Sequence, residues 1–327
     1  MGNSSVNQKE GNLSRFQILS LDGGGVKGLF SAAVLAAIED DLNVRITDHF
    51  DLITGTSTGG IIALGLGARK TPREIVNFYV QHGPEIFKQH AFSSVGHLLK
   101  VKYSSDKLEG ALRKCFGEAL LGSSKSRLVI PSYNLGEDDV YLFKTRHHDR
   151  LNRDHNVPFW KVAMATSAAP TFLPSFNGID NMRLIDGGVW ANNPIMVGIT
   201  EALSVLNVPL ESIRVFSLGT TEPVIHRKKQ LDGGGLLRWS RAAVSIILRS
   251  QNLGAQNQAT HLLPKDSILR LEPKVPDGLF DLDKLNLTDL LSKAAHESRK
   301  LTNQFEEMFS NHKADEFLQN ILPGGNQ

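Results

Sequence analysis

A serine hydroxyl is a weak nucleophile until a neighbouring base takes its proton. The informative residues are therefore one serine and the groups able to serve it. Ser57 stands in Gly55-Thr56-Ser57-Thr58-Gly59, the Gly-x-Ser-x-Gly pattern of a nucleophile elbow. The stretch from Phe50 reads as an apolar strand leading into a sharp turn, and Thr58 to Ala68 has helical composition. Glycine at positions 55 and 59 lets the backbone turn tightly where a side chain would strike the adjoining strand or helix. The helix N-terminus aims its positive end near Ser57, where an oxyanion would develop.

Asp186 is the carboxylate candidate. It follows the short strand Arg183-Leu184-Ile185 and precedes Gly187-Gly188. Open α/β sheets gather their site residues at the carboxyl ends of strands. A turn-forming aspartate ahead of glycines is the plainer alternative. The third feature is Asp22-Gly23-Gly24-Gly25-Val26-Lys27-Gly28, between an apolar run (Phe16 to Leu21) and a helical stretch (Leu29 to Ile38). A dinucleotide fingerprint would want an acid at a second strand end about 20 residues on. Asp40, Asp41 and Asp48 are near, but the strand that should precede them is missing. A phosphate-binding Walker loop fails because Lys27 lacks the Gly-Lys-Ser/Thr context. An oxyanion hole remains, with Gly24 and Gly25 offering N–H donors that no Cβ obstructs, as does an ordinary tight turn. Of eleven histidines none has the strand-end context of a triad histidine. His226, seven residues past Gly219, comes closest and leaves a Ser–His–Asp esterase open. A nucleotide-binding module without catalysis and a scaffold that merely retains the fold are the readings of another class.

Taken in order, the Asp22–Gly28 loop, the Ser57 elbow and Asp186-Gly187-Gly188 resemble the patatin-like phospholipase family. Ala165-Thr166-Ser167-Ala168-Ala169-Pro170, Asn192-Asn193-Pro194 and Ser217-Leu218-Gly219-Thr220 are similar to that family as well. The resemblance covers about Phe16 to Thr220. It implies a three-layer α/β/α fold with a mostly parallel central sheet, and a Ser–Asp dyad that hydrolyses acyl esters of lipids. Carried onto this chain, it makes Ser57 the nucleophile and Asp186 the general base. Gly23, Gly24, Gly25 and Gly28 form the oxyanion loop, and Gly187, Gly188 and the Asn192-Asn193 turn fix Asp186. A carboxylate with an ordinary pKa near 3.9 is a weak base, so burial should raise it toward neutrality. The chain also resembles the bacterial patatin-like effectors of antiphage defence. That implies activation by a cyclic dinucleotide and degradation of membrane phospholipid, with Arg146–Arg153 and Arg238–Arg249 as candidate phosphate surfaces.

The elements that must position these groups alternate strand and helix up to Thr220, which implies a mostly parallel sheet covered on both faces. Further strands are predicted at Arg127–Tyr133, Asp139–Thr145, Arg214–Leu218 and Ser267–Leu271, the last in the chain. Helices are predicted from the Thr71-Pro72 start to about Gln81, from a Ser105 cap to Phe116, over Phe159–Ala168, and from Pro194 to about Leu206. Leu236 to about Leu263 is amphipathic and carries Arg238, Arg241 and Arg249. It suits either an interfacial helix on anionic lipid or ordinary packing on the core. Thr288 to about Leu318 reads as a polar terminal helix or helix pair. Gly83–Ser104 is an irregular candidate lid, with a short helix near His97 to Lys100. The expected organisation is a disordered lead-in (1–15), a catalytic core (16–220) and a C-terminal helical extension (221–327) packed on the same domain.

With 327 residues, 41% of them hydrophobic, the chain can fill a sizeable α/β core. Its 36 basic and 34 acidic residues leave a net charge of +2, which gives no reason to expect a nucleic-acid polymer as partner. A lone cysteine, Cys115, excludes an intramolecular disulfide and a Cys-based zinc site. Adjacent His147 and His148 are poorly placed to converge on a metal. No metal and no cofactor is expected. The polar N-terminus lacks a signal-peptide core and no run reaches the length of a membrane span. A cytoplasmic protein is expected, peripheral to the inner membrane when active. The expected partners are a phospholipid membrane surface and a cyclic dinucleotide, and the sequence is compatible with a homo-oligomer.

Overall fold

The computed structural model describes residues 15–86, 103–224, 231–233, 235–276 and 287–317. The lead-in (1–14) and His226 lie outside the described residues, as do residues 87–102 of the candidate lid. The first half contributes β1 (Phe16–Leu21), α1 (Gly28–Leu42), β2 (Leu52–Gly55), α2 (Thr58–Gly67), α3 (Pro72–Ile86), α4 (Ser105–Phe116), β3 (Arg127–Asn134) and β4 (Asp139–Lys144). There follow α5 (Phe159–Ser167), β5 (Leu184–Asp186), α6 (Gly188–Ala191), α7 (Ile195–Ser204), β6 (Ile213–Leu218) and β7 (Glu222–Val224). The chain ends with α8 (Leu236–Leu262), β8 (Ile268–Leu271), β9 (Lys274–Pro276) and α9 (Leu287–Phe309).

The main sheet runs β4-β3-β2-β1-β6-β8, with β5 also paired to β3. Neighbours from β3 through β8 are parallel, while β4 and β5 are antiparallel to β3. Alternation along each strand separates two cores, as a sheet buried on both faces requires. Leu19, Leu21, Ile53, Leu128 and Phe216 face the larger core with α1, α2 and α9. Ile18, Leu52, Val129 and Val215 face a smaller one with Ile195 and Ile199 of α7 and Ala259 of α8.

The antiparallel β5 is what brings the two candidate groups together. The edge of β3 that carries β2 at Arg127–Val129 is free again beyond β2's end, and Ser132–Asn134 take β5 there, since β4 occupies the other edge. β5 thus lies in line with β2, just past the end from which Ser57 emerges. Three residues with no helix-length crossover give no clue to direction in sequence.

Other expectations are corrected. α3 runs past Gln81 through Pro84 to Ile86, because its apolar face (Ile75, Phe78, Tyr79, Ile86) stays buried and overrides the lost backbone donor. The start of α3 holds as a capping pair: Glu74 Oε2 accepts from Thr71 N at 2.7 Å, and Thr71 Oγ1 accepts from Glu74 N at 3.2 Å. The α4 cap is Ser104, whose hydroxyl accepts from Asp106 N, one residue before the expected Ser105. The terminal helix is single and not polar on its inner side. α9 buries Leu290, Leu301, Phe305 and Phe309 at helical spacing, and Phe305 and Phe309 meet Phe50 and Phe216. β8 is not the last strand, since β9 pairs with β7 in a small parallel sheet.

Candidate active site

The loops after β1, β2 and β6 converge at the carboxyl end of the sheet. Ser57 takes φ 55° and ψ −123°, a strained conformation for a residue with a Cβ. Its neighbours permit this only as glycines: a Cβ on Gly55 would lie 2.2 Å from Gly59 O, and one on Gly59 would lie 2.2 Å from Leu21 O. Thr166 holds the strained turn. Its hydroxyl accepts from Ser57 N at 3.0 Å and donates to Pro131 O at 2.6 Å. In the sequence Thr166 belongs to Ala165-Thr166-Ser167-Ala168-Ala169-Pro170, a motif that by itself assigns it no role. The only signal was its position at the end of a helix packed under the elbow.

Asp186 is buried at the end of β5, with the Ser57 hydroxyl near enough to favour its ionised form. Its Oδ1 also accepts from Gly188 N at 2.7 Å, and its own N–H donates to Ala168 O at 3.0 Å. Burial pushes the carboxyl up to about 6, against the smaller opposing pull of the bonds from Ser57 and Gly188. No histidine lines this cavity among the described residues.

The Asp186 loop is laced to the elbow and to the glycine loop. Thr56 Oγ1 donates to Ala191 O at 2.6 Å, and Gly23 N donates to Asn192 O at 2.9 Å. The Asn192-Asn193 turn was expected to hold Asp186 itself; its side chains do other work. Asn192 Nδ2 donates to Gly23 O at 3.4 Å and to Asn252 Oδ1 of α8 at 3.1 Å, while Asn193 Oδ1 accepts from Ile195 N.

The four loop glycines are not equivalent. The N–H of Gly23 is spent on Asn192, and that of Gly28 caps the preceding turn on Gly25 O and Val26 O. Gly28 lies against Thr58 as a spacer between loop and α2, away from the cavity wall. Gly24 and Gly25 border the cavity, and neither N–H has a hydrogen-bond partner among the described residues. Behind the loop, Arg270 of β8 clamps Asp22 through two bonds of 2.9 and 2.5 Å and also bonds Ser217 Oγ and Glu272. Lys27 donates to Thr221 O at 2.7 Å. Arg270, 248 positions from Asp22, was missed because no local pattern marks such a pair.

Ser57 and Asp186 open into a cavity of about 660 Å³, walled largely by apolar side chains such as Ile61, Phe78, Ile86, Leu108, Phe172 and Leu248. That suits hydrocarbon. Arg249, also on the wall, is paired with Glu222 at 2.9 Å. In the Arg146–Arg153 segment His147 is buried between Thr145 Oγ1 and Glu201 Oε1, each at 2.9 Å, with Lys144 reaching Glu201 at 2.5 Å, while Arg150 and Arg153 are exposed.

Residues 19–199 match the Patatin family, described as patatin-like phospholipase. The chain is 30% identical over 312 residues to a cGAMP-activated phospholipase of Pseudomonas aeruginosa, spanning 92% of this chain and 93% of the relative. It is 30% identical over 326 residues to a cGAMP-activated phospholipase of Vibrio cholerae, spanning 89% and 92%. Among solved structures, VipD from Legionella pneumophila is similar at 10% identity and a TM-score of 0.47, over 89% of this chain and 67% of that one. No helix among the described residues is long and apolar enough to cross a membrane. With more than half of its length matched, the chain belongs to the patatin-like phospholipase family and is an ester hydrolase of the phospholipase type.

Proposed function

We propose that Ser57 and Asp186 form the catalytic dyad of this hydrolase, with Gly24 and Gly25 as oxyanion donors. The observation that carries this reading is the Ser57 hydroxyl placed beside a buried carboxyl on the wall of one apolar cavity. Asp186 takes the hydroxyl proton as Ser57 Oγ attacks the ester carbonyl of a lipid. The tetrahedral oxyanion is met by the N–H groups of Gly24 and Gly25 and by the α2 N-terminus. Collapse breaks the ester bond, and Asp186 returns the proton to the leaving alcohol. Water then enters; Asp186 takes its proton as the water oxygen attacks the acyl-serine, and returns it to Ser57 Oγ as the acyl–oxygen bond breaks and the fatty acid leaves. A carboxyl near 6 is suited to both duties at neutral pH.

The substrate class is membrane phospholipid, the acyl chain lying in the apolar cavity. The activator is a cyclic dinucleotide of the cGAMP type, supported by the names of two relatives that each span most of the chain. The setting is antiviral defence at the inner face of the cytoplasmic membrane. The test is fatty-acid release from phospholipid vesicles with and without cGAMP. Release that rises with cGAMP and disappears in Ser57→Ala is expected. Release that persists in Ser57→Ala would remove the dyad, and equal release with and without cGAMP would remove the switch.

A further inference from the structure

The cavity at Ser57 has two unlike ends. One is walled by Ile61 of α2, Phe78 and Ile86 of α3, Leu108 of α4 and Phe172, none of them charged. Tyr79 ties this end to the elbow, its hydroxyl donating to Thr58 O at 3.2 Å. The other end is built from the glycine loop, the segment after β6, and α8. A Cβ on Gly24 would lie 2.5 Å from Thr220, Lys27 donates to Thr221 O, and Asn252 accepts from Asn192. Glu222, Arg249 and Glu272 line the same end. Ser57 belongs to both, since it caps α2 and a Cβ on Gly23 would lie 3.3 Å from its own. An ester held at Ser57 therefore lays its acyl chain among the apolar side chains and its alcohol among the polar ones.

Charge decides which alcohol fits. Among the described residues the charged groups on the cavity wall are Lys27 and Arg249 against Asp186, Glu222 and Glu272. A headgroup of net negative charge meets no excess of cations there. Arg249 Nη2 pairs with Glu222 Oε1 at 2.9 Å, and its Nη1 donates to Pro223 O at 3.3 Å. Glu222 Oε2 and the other guanidinium donors have no partner among the described residues, and the two side chains remain within reach, 16% and 37% exposed. A phosphate can accept from those donors while an ammonium beside it donates to Oε2, so that four charges alternate in sign.

We propose that the Arg249–Glu222 pair is a headgroup subsite, taking the phosphate of a zwitterionic phospholipid on Arg249 and its ammonium on Glu222, and so selecting ethanolamine lipids over anionic ones. This rests on the reading that Ser57 cleaves a phospholipid ester.

The test is kcat/KM, with cGAMP present, on water-soluble dihexanoyl phosphatidylethanolamine, dihexanoyl phosphatidylglycerol and dihexanoylglycerol. The parent should favour phosphatidylethanolamine over phosphatidylglycerol by about tenfold. Glu222→Gln should bring that ratio down to about one, and Arg249→Met should lower both phospholipids relative to dihexanoylglycerol by about tenfold or more. A pair with only a structural role would slow all three substrates by one factor, and unmoved ratios overturn the proposal. So does a parent that cleaves phosphatidylglycerol as well as phosphatidylethanolamine. If either variant folds poorly, the parental ratio decides alone. Ser57→Ala retaining turnover would sink the dyad, while the ratios still judge the subsite. If no phospholipid is cleaved, calorimetry of the parent with the same two phospholipids decides, and equal affinity refutes the assignment.

Discussion

Asp186→Asn should make the protein a far poorer catalyst and, above neutrality, a more stable one. In the fold the carboxyl ionises near 6, against 3.8 for the free group. Each unit corresponds to about 1.36 kcal/mol, so holding the carboxylate ionised in the native state costs about 3 kcal/mol at pH 8. The sign follows from proton uptake. Between about 4 and 6 the native carboxyl keeps a proton that the unfolded one has lost, so this contribution to stability declines as pH rises through that window and is level above it. Asparagine keeps an oxygen to accept from Gly188 N and Ser57 but carries no charge. Urea unfolding should find Asp186→Asn more stable than the parent by up to about 3 kcal/mol at pH 8, with the gain shrinking toward pH 4.5. Turnover of a chromogenic short-chain ester should fall roughly 10²- to 10⁴-fold with the general base gone. Equal destabilisation at both pH values would refute the electrostatic reasoning, and near-parental turnover would refute the catalytic role.

In the parent, kcat/KM on a soluble ester should rise through pH 6 and level off above it as Asp186 loses its proton; a profile flat from 5 to 8 would contradict that. Gly59→Ala should cost about 3 kcal/mol or more in urea unfolding, because its Cβ would meet Leu21 O at 2.2 Å and Asp22 O at 2.7 Å, neither of which can yield without moving β1. Arg270→Met leaves Asp22 buried without its guanidinium and should cost about 3–5 kcal/mol by the same assay, with ester turnover reduced as the glycine loop loses its anchor.

The sequence made the proposed dyad legible and the framework only in part. Ser57 and Asp186 were readable because each sits at a strand end beside glycines that the turn demands, a local signal. β1, β3 and β6 were readable as short apolar runs between turn residues. What was not readable depends on distant partners. The direction of β5 follows from the vacant edge of β3 beyond β2. The hold on Asp22 comes from Arg270, and Asn192 is spent on Gly23 and Asn252 rather than on Asp186. α3 continued through Pro84 because burial of Ile86 outweighed a local breaker, and the stripe ending in Phe305 and Phe309 was hidden under a polar average. The proposed oxyanion loop was half legible: four glycines have the right composition, but backbone bonding, invisible in sequence, leaves only Gly24 and Gly25 with N–H groups free for the proposed donor role among the described residues.

The most direct test of the central claim is covalent labelling by a fluorophosphonate, with the labelled peptide identified by mass spectrometry. The label should map to Ser57, and Asp186→Asn should slow its attachment by about 100-fold or more while every histidine-to-alanine variant labels at the parental rate. A label on another residue, or one that reaches Ser57 equally fast without the Asp186 carboxylate, would contradict a serine activated by direct contact with an aspartate.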